Sequence, residues 1–95
     1  MEVEFFDWKE FKMEKLDEQL QNGAVFIGFQ QPGIMIKITA KLEDSKWTAH
    51  LVFEKDGKTR TMSRKNMTTA EATKELRSSI HSAKSILAGQ ISIPV

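Results

Sequence analysis

The sequence predicts one α+β domain, in which two helices cover one face of a four-stranded antiparallel sheet in the order α-β-β-β-β-α. Three observations predict this fold. Apolar residues recur at helical spacing near both ends of the chain, they alternate with polar residues through the middle, and turn signals separate the alternating runs. The 95 residues, 40% apolar and 28% charged, are typical of a single globular domain spanning 1–95.

The first helix is predicted over 8–21 from a start signal at Asp7. Glu10 stands three residues after Asp7, the spacing of a capping box in which each residue binds the other's amide. Phe6 and Phe11 occupy the two positions of a hydrophobic staple. The residues before Asp7 alternate in "VEF", so the segment 1–6 is either a short strand or a packed arm.

Four strands follow, each with the two-residue period of a half-buried sheet. The stretch "AVFIGFQ" from Ala24 is apolar on both faces, and the later strands alternate clearly. One side of the sheet is therefore expected to be apolar and the other polar, with "EDSK" as a hairpin loop. The predicted apolar row comprises Ile34, Ile36, Ile38, Ala40, Leu42, Trp47, Ala49, Leu51 and Phe53, and the outward row includes Lys37, Thr39, Lys41, Glu43, Thr48, His50 and Glu54.

The hairpin at "DG" (56–57) has two registers that the sequence leaves open. A two-residue loop pairs Phe53 with Arg60 and Leu51 with Met62. A three-residue loop with a bulge slips the pairing by one residue and exchanges the two faces of the last strand.

The last helix is predicted from a second capping box, Thr68 with Glu71, and it runs to Gly89. After Gly89 the tail 90–95 alternates again, which favours either a short edge strand or a docked segment. The apolar stripe of this helix is predicted to consist of Ala72, Leu76, Ile80, Ala83 and Leu87.

Charge is distributed unevenly, although the chain carries only +1 in total. Residues 1–22 are acidic, whereas 46–67 hold six basic and two acidic residues, a net charge of +4. There are no cysteines, no apolar run of transmembrane length and no basic-then-apolar leader, so we expect a cytoplasmic protein without disulfides or membrane contact.

Catalytic chemistry is not indicated, and we expect a protein that is not an enzyme. His50 and His81 lie on different elements without metal-ligand spacing, and the glycines are isolated rather than gathered in a phosphate loop. His50 can meet Ser63 across the hairpin, but Glu54 is too far along the strand to orient the histidine. No metal, cofactor or small-molecule substrate is expected.

Nucleic-acid binding is the favoured function, because cations gather on the outward side of the sheet and on the last helix. The aromatic residues Phe26, Phe29, Trp47 and Phe53 are assigned mostly to the core, which leaves few rings for base stacking. The candidate contacts are Lys37, Lys41, Arg60, Arg64, Lys65, Lys74, Arg77 and Lys84, with Arg60 or Arg64 reaching the open sheet according to the register.

Two resemblances concern the order of elements. The helix, antiparallel meander and closing helix, with "SRK" (63–65) before that helix, are similar to the double-stranded-RNA-binding domain. That resemblance implies phosphate contacts by Ser63, Arg64 and Lys65, although a separate cap at Thr68 and an additional strand depart from the pattern. The four strands followed by a helix also resemble single-strand-binding modules of the positive-cofactor and Whirly types, which work as dimers.

The alternative function is a protein-interaction module, an adaptor or inhibitor, that binds a partner or a second copy through a sheet edge or the apolar tail. Ile86 projects off the helix stripe, which we interpret as support for such a surface. The candidate residues are Ile86, Ile91, Ile93 and Val95.

Overall fold

The computed structural model describes residues 3–95, which form two helices and one sheet of five strands. The sheet order is β1-β2-β3-β4-β5, and every neighbouring pair is antiparallel except β1 with β2. The elements in chain order are β1 Glu4–Phe6, α1 Met13–Gln21, β2 Ala24–Gln31, β3 Ile34–Glu43, β4 Lys46–Lys55, β5 Lys58–Met67 and α2 Thr69–Leu87.

The prediction of a four-stranded, wholly antiparallel sheet is wrong at its first edge. Residues 4–6 form β1, which lies parallel to β2 with Glu4 opposite Ile27 and Phe6 opposite Phe29. A parallel pair needs a crossover connection, and the segment that contains α1 supplies it. Of the predicted segment 1–6, residues 1 and 2 lie outside the described residues.

The predicted start of the first helix is also wrong. Asp7 closes a single turn instead: its carbonyl oxygen accepts hydrogen bonds from the amides of Glu10 and Phe11, at 3.1 and 3.0 Å. The carboxylate of Asp7 accepts from the amide of Lys9 at 3.0 Å. Asp7 therefore binds neighbouring amides, but the helix predicted over 8–21 does not continue from this turn.

Burial of Phe11 explains why the first helix begins later in the chain than predicted. Lys12 is extended (φ −109°, ψ 141°), and α1 begins only at Met13, without a side-chain cap. The ring of Phe11 is 5% exposed and lies edge-on to Phe6 and Phe29, at centroid distances of 5.1 and 5.3 Å. Burying such a ring contributes about 2 kcal/mol, which exceeds the roughly 1 kcal/mol expected from the cap.

The three hairpins that join β2 to β5 each have a two-residue loop, which fixes the register that the sequence left open. Lys55 pairs with Lys58 and Phe53 with Arg60, as the two-residue loop requires. The register shifts between Trp47 and Ala49, where a bulge places one extra residue on β5. The bulge lets Met67, at the end of β5, reach the core.

The two faces of the sheet differ in cover. We call the side beneath the helices the inner face and the opposite side the open face. Leu16 of α1 and the predicted stripe of α2 belong to the same buried cluster as the inner face. The buried inner-face residues are Val25, Ile27, Phe29, Ile36, Ile38, Ala40, Trp47, Ala49 and Phe53.

The last helix begins as predicted. Thr68 and Glu71 form a complete capping box, with the Thr68 amide donating to Glu71 Oε1 at 2.9 Å and the Glu71 amide donating to Thr68 Oγ1 at 3.2 Å. These bonds hold the pKa of Glu71 below its ordinary value of 4.5, first through the Thr68 amide and then through its hydroxyl. The helix ends at Leu87, and Gly89 takes the left-handed conformation (φ 77°).

The tail after Gly89 docks against its own domain rather than forming a strand. Ile93 is buried in the core cluster, whereas Ile91 and Val95 are exposed. The interpretation of Ile86 as part of an interaction surface is wrong, because its side chain is only 6% exposed and belongs to the core cluster. Packing of α2 and of the tail against the domain buries Ile86, which would be exposed on an isolated helix.

Candidate nucleic-acid interface on the open face

A shallow depression of about 510 Å³ lies at the centre of the open face. Phe26, Thr39 and His50 form one cross-strand row through it, because Thr39 pairs with Phe26 on one side and with His50 on the other. Lys41, Thr48 and Lys65 border this row, and we call the six residues the open-face site. Both helices lie on the other side of the sheet, so nothing within residues 3–95 covers it.

Phe26 supplies an aromatic ring to this surface. Val25, Ile27 and Phe29 of the same strand are buried on the inner face, so alternation turns Phe26 to the open face, where it is partly exposed. The Phe26 amide donates a hydrogen bond of 2.8 Å to Gln19 Oε1 of α1. This hydrogen bond links the start of β2 to α1 at the position of the Phe26 ring.

The cations of the open-face site come from two strands. Lys41 is exposed and lies 3.6 Å from Glu43, a pair in water that contributes little to stability. Lys65 belongs to the bulged part of β5 and makes no ion pair among the described residues. Lys37 lies on the same face one row away, opposite Gly28 and Val52. Three lysines thus border one side of the sheet.

A second ring, Phe5 of β1, also lies on the open face, and sequence reasoning missed it. Phe5 pairs with Gly28 and is 47% exposed. A Cβ atom at Gly28 would lie 2.8 Å from the Phe5 ring, so the ring fills the space that the glycine leaves. The sequence does contain a signal for this contact: Gly28 is a single glycine inside an apolar strand, and such a glycine often marks the close approach of another group.

His50 and Ser63 meet across β4 and β5, with His50 Nδ1 and Ser63 Oγ 2.7 Å apart. Both side chains are exposed, and no carboxylate among residues 3–95 hydrogen-bonds the histidine ring. The pair therefore has the form of a polar cross-strand contact rather than a nucleophile oriented by an acid.

The predicted placement of Arg60 or Arg64 on the open sheet is wrong. The register puts Arg60 opposite Phe53 and Arg64 opposite Ala49, so both side chains leave β5 on the inner-face side. Arg64 there meets α2, with its guanidinium 2.9 Å from Glu75 and 3.7 Å from Glu71. The two-residue loop at 56–57 is the physical cause, because it sets the face of each β5 residue from Lys58 to Arg64, before the bulge.

The cations predicted on α2 do not extend the open-face site either. Arg77 donates to both carboxylate oxygens of Asp17 on α1, at 2.9 and 3.1 Å. Lys84 donates to the carbonyl oxygen of Phe11 at 2.7 Å. Arg77 thus joins α2 to α1, and Lys84 joins α2 to the segment before α1, while Lys74 is exposed on α2, away from the open face.

The "SRK" segment departs from the position that its resemblance implies. Ser63, Arg64 and Lys65 lie within β5, and α2 begins only after the separate cap at Thr68. Arg64 is turned to Glu75 while Lys65 faces the open side. A shared phosphate contact at the helix start is therefore not the geometry found here.

Within residues 3–95 no group of three or more His, Asp or Glu side chains has an arrangement that could hold a metal ion. Neither α1 nor α2 is long and apolar enough to cross a bilayer. Comparisons with protein-family models, with curated proteins and with solved structures find no match to this chain.

Proposed function

We propose that this protein binds single-stranded nucleic acid on the open face of its sheet. The observation that carries the proposal is the open-face site, where the Phe26 ring lies in an uncovered depression bordered by Lys41 and Lys65. A ring for a base and cations for the neighbouring phosphates are the two parts that single-strand binding uses. The Thr39, Thr48 and His50 side chains add hydrogen-bonding groups around the ring.

A single strand fits this surface better than a duplex. Stacking on Phe26 requires an unpaired base whose face is free, and in a duplex both faces are occupied by neighbouring pairs. Phe5 offers a second ring on the same face, next to Gly28. The site has no element that projects into a groove, which sequence reading of a duplex requires.

The charge of the face predicts moderate affinity with a measurable salt dependence. Lys37, Lys41 and Lys65 are the cations that the proposal uses, and Lys46 lies opposite Glu43 at the end of the same face. Glu43 and Glu54 partly offset these charges. Each phosphate contact on a single strand lowers the logarithm of the binding constant by about 0.7 per logarithmic unit of salt. Three contacts therefore predict a slope of about −2.

The test is a salt titration of binding to oligo(dT), oligo(rU) and matched duplexes, followed by fluorescence anisotropy. We expect the single strands to bind more tightly than the duplexes, with the slope given above. Equal binding to duplexes would contradict stacking on Phe26, and absence of any binding at low salt would refute the proposal.

Matched charge variants locate the surface. Lys41→Ala with Lys65→Ala should weaken binding to every single strand and reduce the slope by about 1.4, because two contacts are lost. Lys55→Ala with Lys58→Ala removes the same charge at the tip of the β4–β5 hairpin and should leave the slope unchanged. Equal effects of the two double variants would show that only net charge matters.

The ring is tested separately by Phe26→Leu. Leucine keeps apolar cover on the strand but loses the flat face, so affinity should fall by about 1–3 kcal/mol with an unchanged salt slope. Thermal unfolding serves as the control, because a variant that binds weakly but melts normally has lost contact rather than structure. Unchanged affinity would remove Phe26 from the site.

A further inference from the structure

The free edge of the sheet at β5 is a second surface that the proposed function does not use. β5 is the last strand in the sheet order, ten residues long, and every residue except Met67 is exposed. Natural proteins usually shorten or cover such an edge, since its unpaired backbone groups accept another strand. Nothing among residues 3–95 forms a sixth strand beside it.

The register identifies which backbone groups of β5 are free. Lys55 and Lys58 close the two-residue hairpin loop, and hydrogen-bonded pairs then alternate along the two strands. Arg60 and Met62 direct their amides and carbonyls to β4. Thr59, Thr61 and Ser63 direct theirs outward, in the plane of the sheet. These three residues offer donors and acceptors to an incoming strand.

An apolar groove runs along the inner side of this edge. α2 packs on β3 and β4 and leaves Met62 of β5 41% exposed. Two hollows, of about 130 and 290 Å³, share Leu51, Met62, Glu75 and Ser79 and so form one groove between β5 and α2. The exposed Ile91 of the docked tail lines its far end.

We infer that β5 takes up an acidic, extended segment of a partner protein as a sixth, antiparallel strand. The segment places an apolar side chain in the groove beside Met62 and carboxylates beside Arg60 and Lys58. Strand addition draws affinity from the backbone and specificity from alternate side chains, which is what this edge and groove supply.

Charge selects the chemistry of the partner. β5 carries Lys58, Arg60, Arg64 and Lys65 and no acidic residue. Arg64 is already paired with Glu75 and Glu71. Arg60 and Lys58 make no ion pair among the described residues, so carboxylates directly opposite them gain cross-strand attraction.

A second copy of this chain is a poor occupant. Antiparallel pairing of two β5 strands centred on Met62 would place Arg60 opposite Arg64 of the other copy at two positions. Like charges directly opposite each other destabilise a sheet, and the joined strands would contain no acid to offset them.

Nucleic acid is also a poorer occupant of this edge than a peptide. Phosphate oxygens only accept hydrogen bonds, so they leave the outward carbonyls of Thr59, Thr61 and Ser63 without donors. A peptide strand supplies donors and acceptors at the spacing of the edge.

The peptide TTLTETE is the probe, since in antiparallel register its leucine lies opposite Met62 and its glutamates opposite Arg60 and Lys58. We expect saturable binding by fluorescence anisotropy at millimolar peptide or below. The amides of Thr59, Thr61 and Ser63 should gain protection from hydrogen exchange, because those three donate outward. The peptide TTLTKTK should bind at least about ten-fold more weakly.

Two changes test the backbone contact. Thr61→Pro removes an outward amide without removing a bond to β4, and should weaken TTLTETE binding about ten-fold or more. Thr61→Val keeps the amide and serves as its control. A peptide N-methylated at the threonines opposite Thr59, Thr61 and Ser63 should also fail to bind, which tests the contact in the unaltered protein.

The outcomes separate this inference from the proposed function. Binding of oligo(dT) should be the same in Thr61→Pro as in the original chain, because Thr61 is not one of the six residues of the open-face site and the change alters no lysine. Absence of peptide binding, or equal binding of the methylated peptide, overturns the sixth strand and leaves nucleic-acid binding standing. Loss of oligo(dT) binding in Thr61→Pro would assign the β5 edge to nucleic acid. Concentration-dependent dimerisation that Thr61→Pro abolishes would assign the edge to a second copy. Either result overturns the inference of a sixth strand from a partner.

Discussion

Phe26 and Phe29 lie three residues apart in β2 and face opposite sides of the sheet. Phe29 is fully buried and packs edge-on to Phe11, with ring centroids 5.3 Å apart. Phe26 lies in the depression on the open face, among Thr39, Lys41 and His50. Because successive residues of a strand alternate between the two faces, the same residue type in β2 occupies two different environments.

This contrast shows how the two faces of the sheet differ. The inner face holds the apolar side chains of the core cluster that come from the strands, and both helices cover it. The open face contributes less to stability and is free to carry polar and aromatic groups. Changes on the inner face should therefore appear in unfolding measurements, and changes on the open face chiefly in binding.

The largest expected effect comes from removing the buried ring. Phe29→Ala should lower the free energy of unfolding by about 3–5 kcal/mol, since it removes apolar contacts and leaves a cavity. Phe26→Ala is the matched change on the open face and should cost less, about 1–2 kcal/mol, because Phe26 is only partly buried. Urea denaturation of both variants measures the difference, and equal losses would contradict the division between the faces.

Much of this division could be predicted from the sequence. Alternation in β3 and β4 identified most of the buried row, although Leu42 at its end is 38% exposed. The "DG" pair allowed the register that places Phe53 opposite Arg60. The cap at Thr68 formed as expected because nothing competes with it. These features depend on neighbours within a few residues, where local rules are strong.

The misplaced features depend on contacts distant in sequence. α1 starts late because Phe11 finds Phe29, and β1 exists because it pairs with β2. Phe5 on the open face follows from that pairing. Partners distant in sequence also determine which of the candidate cations remain free: Arg77, for example, is bound by Asp17, 60 positions away.

A smaller effect is expected where the open face is closest-packed. Gly28→Ala should lower stability by about 1–3 kcal/mol, because its Cβ would lie 2.8 Å from the Phe5 ring and 3.1 Å from Val3 Cγ2. In a Phe5→Ala background the same change should cost less, since only the contact with Val3 Cγ2 at 3.1 Å would remain. Denaturation of the two single variants and the double variant gives the coupling. Additive effects would mean that Phe5 does not lie over Gly28.

The smallest effect concerns the cap that holds α2 on the inner face. Thr68→Ala should cost about 1 kcal/mol at neutral pH. Since the bonds from Thr68 lower the pKa of Glu71 in the folded state, Glu71 stabilises the fold above its ordinary value of 4.5. That contribution is lost as the pH falls through the lowered pKa. The loss of stability caused by Glu71→Gln should therefore shrink on acidification, and in a Thr68→Ala background this pH dependence should be weaker. Unfolding by urea from pH 7 to 3, for the four combinations, measures the change. Because the Thr68→Ala variant keeps the backbone amide that binds Glu71, an unaltered pH dependence would show that the Thr68 hydroxyl does not contribute to the lowered pKa of Glu71.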